Sequence, residues 1–147
     1  MFNPVCFQRF SHSVYKLNIP LVPSLITYFI RFFYSCYFPY KIKAGSNLVL
    51  GYGGLSVVIH ERTVIGDNCH IDQSVTIGGT SKKHGVPSLG NDVYVGAGAK
   101  ILGPIKIGNN VVIGANSVVL MDIPDNSLVV GIPARIVKSN ILKSEYV

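Results

Sequence analysis

The amino-acid sequence predicts an all-β fold, a parallel β-helix, preceded by a short α-helical cap. An aliphatic residue returns every six positions from Ile59 onward, a small or β-branched residue lies four positions after most of these, and glycine directly follows many of them. The aliphatic positions are Ile59, Ile65, Ile71, Ile77, Leu89, Val95, Ile101, Ile107, Ile113 and Val119. A strand has period two and a helix period 3.6, so this repeat indicates short strands joined by tight turns.

Two interruptions of the repeat mark special segments. Ile42 and Leu48 extend the pattern backward in the same phase, and the step of eleven from Leu48 to Ile59 predicts a one-residue slip in the glycine-rich stretch 51–55. The second interruption places Lys83 where an aliphatic residue is due, which predicts a loop over 79–88. Long loops on a rigid scaffold often carry function, although a tolerated surface insertion is the alternative.

The two ends of the chain differ from its middle. Apolar residues recur at helical spacing in two early segments, and Pro23 suits a first helical turn. These residues are Phe7, Phe10, Val14 and Leu17, then Val22, Leu25, Ile26, Phe29, Ile30 and Phe33. We therefore expect a helical cap at 1–38, a β-helix domain at 39–138 and a polar tail at 139–147. Within the domain, the repeat is expected to stop after Val119, at residues 122–125. Weak membrane-surface association is the alternative role of the aromatic helices.

Composition narrows the function classes. The 147 residues are 48% hydrophobic and 14% charged, but no run of about 20 uncharged apolar residues indicates a membrane span. The start of the chain lacks a secretory pattern, so we expect a cytoplasmic protein. The three scattered cysteines indicate buried thiols, not a disulfide framework or a metal site. The net charge of +6 is spread out, which suits a phosphate-bearing ligand, and no nucleic-acid motif is present.

Four stretches carry a family resemblance: QSVTIGGT, VGAGAKILGPIKIG, IGANSVV and VVGIPARIVK. Together with the repeat they resemble the hexapeptide-repeat acyltransferases, and within them the serine O-acetyltransferase group, which includes small enzymes of surface-polysaccharide pathways. The resemblance spans about residues 39–138. It implies a left-handed β-helix, a homotrimer, and acetyl-CoA bound as co-substrate in a groove between neighbouring subunits.

The resemblance also implies cofactor contacts. Backbone groups of the alanines in the two glycine-alanine turns would hold the pantetheine arm, the start of the loop would touch the cofactor, and basic residues of the GIPAR segment would lie near the CoA phosphates. The corresponding residues are Ala97, Ala115, Gly79, Thr80, Arg135 and Lys138. Small turn residues and solvated surface charges are the structural alternatives.

Acetyl transfer to a hydroxyl needs a base and donors for the oxyanion. The family's aspartate-histidine pair falls here on Tyr52 and Gly53, so the usual base is missing. His60, which should point outward beside the glycine-rich stretch, is the first substitute, and His84 in the loop is the second. His70, which should face outward on its strand towards a neighbouring subunit, is the third.

The remaining histidine, His12, belongs to the helical cap and is expected to be structural. The acceptor site is expected to include Tyr52, Glu61 and Gln73, although turn bonding explains Gln73 equally well. Glu61 is not expected to orient His60, because adjacent strand residues point to opposite faces.

The leading hypothesis is acetyl-CoA-dependent O-acetylation of L-serine or of a sugar hydroxyl, with histidine as general base. Loss of the family's aspartate favours a sugar over serine. The alternatives are N-acetylation of an amino sugar, a non-catalytic β-helix scaffold, and a zinc-dependent carbonic anhydrase that uses three of the histidines.

Overall fold

The computed structural model describes residues 3–147, which contain two α-helices and fourteen strands. Helix α1 spans Pro4–Lys16 and helix α2 spans Val22–Tyr34. The strands of the four coils are β1 Lys43–Ala44, β2 Val49–Leu50, β3 Val58–Ile59, β4 Val64–Ile65, β5 His70–Ile71, β6 Thr76–Gly78, β7 Ser88–Leu89, β8 Tyr94–Val95, β9 Lys100–Leu102, β10 Lys106–Ile107, β11 Val112–Ile113 and β12 Val118–Val119. Two longer strands follow, β13 Ser127–Gly131 and β14 Ala134–Ser139.

The strands stack into three parallel sheets, one for each side of a triangular coil. Sheet 1 contains β1, β4, β7 and β10; sheet 2 contains β2, β5, β8 and β11; sheet 3 contains β3, β6, β9 and β12. Between them lie three columns of turns, which we name the 1–2, 2–3 and 3–1 corners after the sheets that they join. The predicted parallel β-helix is therefore confirmed.

The core follows the predicted periodicity. All ten aliphatic repeat positions are buried, with exposures between 0% and 4%. The small or β-branched set is buried as well, including Cys69, Ala99 and Ser117. Each coil covers its apolar interior only against its neighbouring coils. The first and last coils of the β-helix lack one neighbour, so each end needs a cap.

The phase predicted for the first coil is wrong. The sheet register pairs Ala44 with Ile65 and Leu50 with Ile71, so these residues hold the repeat positions, while Ile42 and Leu48 hold the other inward position. Nine residues separate Leu50 from Ile59, three more than a regular step. The interruption is a three-residue insertion folded as a tight turn at Gly51–Gly54, with Tyr52 and Gly53 in the left-handed region, and not a slip of one residue.

The helices cover the first coil, as predicted, but with a different face of α1. Buried Gln8 donates from Nε2 to the carbonyl oxygen of Ile42 at 3.0 Å and so ties the helix to the coil. The helical spacing predicted that Phe10 and Leu17 would lie on the buried face of α1. They are 62% and 72% exposed, so the prediction is wrong for these two residues. Gln8 is buried there beside Val5 and Val14 because its amide satisfies a carbonyl group at the open end of the β-helix. Each helix has thirteen residues, and within residues 3–147 none is suited to cross a bilayer.

The C-terminal end also departs from the prediction. The inward pattern continues at Ile123 and Val129, which are 3% and 0% exposed. Strand β13 then extends sheet 2, and β14 pairs with it antiparallel. The repeat therefore ends in a hairpin and not at residue 122. Among the cysteines, Cys36 and Cys69 are buried as expected, whereas Cys6 is exposed.

Candidate active site

A column of small turns runs along the 2–3 corner. The amide of Gly98 donates to the carbonyl oxygen of Gln73 at 2.9 Å, and the amide of Asn116 donates to that of Ala97 at 2.8 Å. These bonds stack the turns of Gln73, Ala97 and Ala115 on successive coils. Within residues 3–147, the amide N–H groups of Ala97 and Ala115 find no protein acceptor. Two free donors thus lie one coil apart, about 4.8 Å, at an accessible corner.

Two buried side-chain oxygens near the candidate site lack a partner. In the described part of the chain, neither Oε1 of Gln73 nor Oγ1 of Thr80 has a hydrogen bond. A third such atom, Oγ1 of Thr63, belongs to a residue that points into the coil. Buried polar atoms are nearly always satisfied, so an orphaned oxygen calls for an explanation. A bound ligand or water is the usual one.

The 3–1 corner carries His60. Its Nδ1 accepts a hydrogen bond from the amide of Arg62 at 3.2 Å. In the neutral ring this places the proton on Nε2, because the accepting nitrogen must hold the lone pair. In this conformation the half-buried imidazole offers a donor at Nε2. A general base needs an unprotonated nitrogen with a free lone pair facing the acceptor hydroxyl, and Nε2 carries a proton here.

Glu61 forms an ion pair with Lys41. Its Oε2 lies 3.1 Å from Nζ of Lys41, and both side chains are about two-fifths exposed (42% and 40%). It also lines an open groove of about 730 Å³ between α2 and the first coil, together with Arg31. As expected, Glu61 and His60 form no pair.

The predicted loop leaves the coil after Gly78 and rejoins it at Ser88, one residue earlier than expected. His84 is exposed near its tip, and Thr80 lies at its start, close to Gly103. The loop occupies the 3–1 corner one coil above His60. His60, Gly79, Thr80 and His84 therefore share one corner.

The two groups of candidates lie at opposite edges of sheet 3. The turns of Tyr52, Gln73, Ala97 and Ala115 precede the strands of that sheet, whereas His60 and the loop follow them. Within one chain, the width of the sheet separates them.

The two basic residues of the terminal hairpin also lie apart. Arg135 pairs with Val130 beside the hairpin turn, at the end of β13 that meets the 2–3 corner. Lys138 lies towards the other end of the hairpin, and its Nζ is 6.0 Å from the ring centroid of Tyr146 in the tail. Of the two, only Arg135 is close to the alanine column.

Tyr52 projects from the three-residue insertion and is 81% exposed, with a φ of 51° in the left-handed region. Below it lies a network that sequence reasoning missed. Tyr94 donates from its hydroxyl to Oδ2 of Asp72 at 2.6 Å, and Nε2 of His70 lies 3.2 Å from Oδ1 of the same carboxylate. The hydrogen bond to Asp72, then burial, raises the pKa of Tyr94 to about 12.

A signal for half of this network was present in the sequence. His70 and Asp72 are two residues apart on a strand, which places both side chains on its outer face. Tyr94 was not recognisable, because the loop lengthens the second coil and moves the tyrosine 24 positions along the chain from His70.

Comparison with known proteins agrees with the repeat and the fold. A family model described as bacterial transferase hexapeptide (six repeats) matches residues 87–120. The serine acetyltransferase of Synechocystis sp. is 47% identical over 132 residues, which cover 88% of this chain and 53% of the relative. That of Bacillus subtilis is 40% identical over 135 residues, with 90% and 62% covered.

Solved structures of serine acetyltransferases also superpose on this chain. Serine acetyltransferase from Brucella abortus in complex with coenzyme A superposes with a TM-score of 0.88 at 34% identity, covering 94% of this chain and 56% of that chain. The soybean apoenzyme gives 0.86 at 34% identity, with 91% and 56% covered. This chain is a hexapeptide-repeat protein related to the serine acetyltransferases. Its β-helix is left-handed, as theirs is. It spans about half the length of the curated relatives it matches (53% to 62%).

Proposed function

We propose that this protein transfers an acetyl group from acetyl-CoA to a hydroxyl group. The observation that carries the proposal is the pair of unpartnered amides of Ala97 and Ala115 on successive coils. An extended pantetheine arm has amide and carbonyl groups that suit such a column. The orphaned Oγ1 of Thr80 supports a ligand at the loop start, and a related structure holds coenzyme A. Acetyl-CoA is a metabolite of the cytoplasm, so the proposal places the reaction there.

The chemistry requires a histidine as general base. The imidazole takes the proton of the acceptor hydroxyl while its oxygen attacks the thioester carbon, and hydrogen-bond donors stabilise the oxyanion. Neutral histidine suits the base role near pH 7. His60 and His84 are the histidines of the 3–1 corner, and in its present conformation His60 is better arranged as a donor.

The acceptor is a serine or a sugar hydroxyl. The relatives are named serine acetyltransferases, which favours L-serine. The insertion that projects exposed Tyr52 beside the alanine column favours a sugar of a surface-polysaccharide precursor, because an aromatic side chain packs on a sugar ring. An amino sugar acetylated on nitrogen is the second alternative.

The proposal includes a homotrimer. The two groups of candidate residues lie on opposite edges of sheet 3, so one chain does not enclose an active site. A neighbouring copy that sets its 3–1 corner against the 2–3 corner completes the groove. Sedimentation equilibrium tests this: a trimer is expected, and a monomer that retains full turnover contradicts it.

The proposal also includes weak binding to an anionic membrane surface. Leu25, Tyr28 and Phe32 share one face of α2 and are 66%, 65% and 81% exposed. The first 60 residues contain five basic residues and no acidic one, which suits negatively charged lipids. Phosphatidylglycerol vesicles are expected to bind the protein more than phosphatidylcholine vesicles do, and Phe32→Ser is expected to abolish this. Leu120→Ser, an exposed apolar change elsewhere, is the control; equal loss with both variants contradicts the surface.

Release of free thiol from acetyl-CoA tests the activity against L-serine, nucleotide sugars and amino sugars. Ala115 is exposed, so Ala115→Trp should fold yet block the arm, and we expect at least a tenfold loss of acetyl-CoA affinity. Lys106→Trp, on the exposed face of sheet 1, is the matched control. A protein that neither binds CoA nor releases thiol with any acceptor would be a scaffold instead.

A further inference from the structure

The outer face of sheet 2 carries a histidine and a carboxylate in contact. Nε2 of His70 lies 3.2 Å from Oδ1 of Asp72, whose side chain is only 17% exposed. The hydroxyl of Tyr94 donates to the other oxygen of that carboxylate at 2.6 Å. The Tyr94 ring also meets the imidazole edge to face, with centroids 5.4 Å apart. Two contacts thus hold the imidazole, and a third holds the carboxylate.

This arrangement selects a tautomer. A carboxylate beside Nε2 favours the proton on that nitrogen, which leaves the lone pair on Nδ1. Among residues 3–147, Nδ1 of His70 has no hydrogen-bond partner, and the side chain is 33% exposed. A base oriented by a carboxylate, with its other nitrogen free, is the arrangement that activates an attacking group in many transferases and hydrolases. His60 differs, because its Nδ1 is occupied by an amide.

The network adjoins the proposed cofactor column within the same chain. Asp72 directly precedes Gln73, whose carbonyl oxygen is bonded to Gly98 in the Ala97 turn. The orphaned Oε1 of Gln73 lies at this corner too. His70 therefore lies on the strand that leads into the corner of the free amides, whereas His60 and His84 lie across sheet 3 from them.

We propose that His70 is the general base of acetyl transfer, with Asp72 and Tyr94 as positioning residues; this rests on the proposed function. Nδ1 of His70 takes the proton of the acceptor hydroxyl as its oxygen bonds to the thioester carbon. The tetrahedral intermediate then collapses, the carbon–sulfur bond breaks, and the imidazolium returns the proton to the CoA thiolate. The products are an acetyl ester and CoA, and the imidazole is neutral again.

The decisive experiment measures kcat/KM in the thiol-release assay, with acetyl-CoA and the best acceptor among L-serine and nucleotide sugars. His70→Ala is expected to lower kcat by about 10²- to 10⁴-fold, with the CoA dissociation constant unchanged. Added imidazole should restore part of the turnover, which a purely structural role would not produce. Asp72→Asn is expected to lower kcat without raising KM, and Tyr94→Phe to have a several-fold effect.

Controls separate the outcomes. His12→Gln, in the helical cap, should leave turnover unchanged, and CoA affinity reports whether each variant is folded; His70→Gln replaces the alanine variant if that one does not bind CoA. If His70→Ala and His70→Gln turn over within threefold of wild type while His60→Ala does not, the assignment to His70 is wrong and acetyl transfer stands. If wild type binds no CoA and releases no thiol, both proposals fall together.

Discussion

The close stacking of the coils can be tested with one pair of glycine substitutions. Gly90 and Gly78 both follow a buried aliphatic residue of the repeat. A Cβ built on Gly90 would lie 2.8 Å from the carbonyl carbon and oxygen of Gly108 on the next coil, whereas a Cβ on Gly78 meets nothing within 4 Å. Ordinary contact begins near 3.4 Å, so Gly90→Ala must push two coils apart by several tenths of an ångström.

The two substitutions are expected to change the free energy of unfolding in different directions. Overpacking of this kind costs about 1–3 kcal/mol, and backbone atoms cannot rotate away as a side chain could. Gly78→Ala should be neutral or stabilise the fold by about 0.4–1 kcal/mol, because alanine has fewer unfolded conformations to lose. Urea unfolding at one fixed protein concentration measures both, since assembly would make stability depend on concentration.

Two results would refute this reasoning. If both variants unfold at the same urea concentration as wild type, the coil contact does not limit residue size at Gly90. If Gly78→Ala is the more destabilising change, the open space beside it is filled by another copy of the chain.

Three further predictions follow from buried and charged groups. Ile101→Ala, at a fully buried repeat position, should lower the free energy of unfolding by about 2–5 kcal/mol, measured in urea; a loss under 1 kcal/mol would contradict the tight core. Arg135→Ala should raise the KM for acetyl-CoA more than Lys138→Ala does, because only Arg135 is near the alanine column, and equal effects would refute this. An absorbance titration at alkaline pH should detect a tyrosine with pKa about 12 that Tyr94→Phe removes and Asp72→Asn returns towards 10. Because the folded-state pKa is raised, the bond stabilises the fold below pH 10 and this is lost as the pH approaches 12; an unchanged titration in both variants would exclude it.

The repeat could be predicted from sequence because each six-residue unit specifies its own strand and turn. The phase of the first coil could not, because two inward positions alternate along every side. Ile42 and Leu48 are large and aliphatic, and Ala44 is small, so the sequence favoured the wrong pair. Only the pairing of Ala44 with Ile65 across the sheet decides between them.

In the candidate site, features set by the local repeat could be predicted from sequence, and contacts between distant residues could not. The alanine column was recognisable because its turns are spaced by one coil of 18 residues. The contact of Tyr94 with Asp72 depends on how far the loop displaces the chain, which no local pattern records. Likewise, the tautomer of His60 depends on an amide two residues away and on a ring orientation that residue type does not specify.

The loop between β6 and β7 replaces a corner without interrupting any sheet, since β4 still pairs with β7 and β6 with β9. A change in its length therefore need not break the strand pairing above or below it. A designer could exchange residues 81–87 for the corresponding segment of another β-helix transferase and leave Gly79, Thr80 and the alanine column in place. The outer part of the loop would then be adjustable separately from the residues proposed to hold the donor.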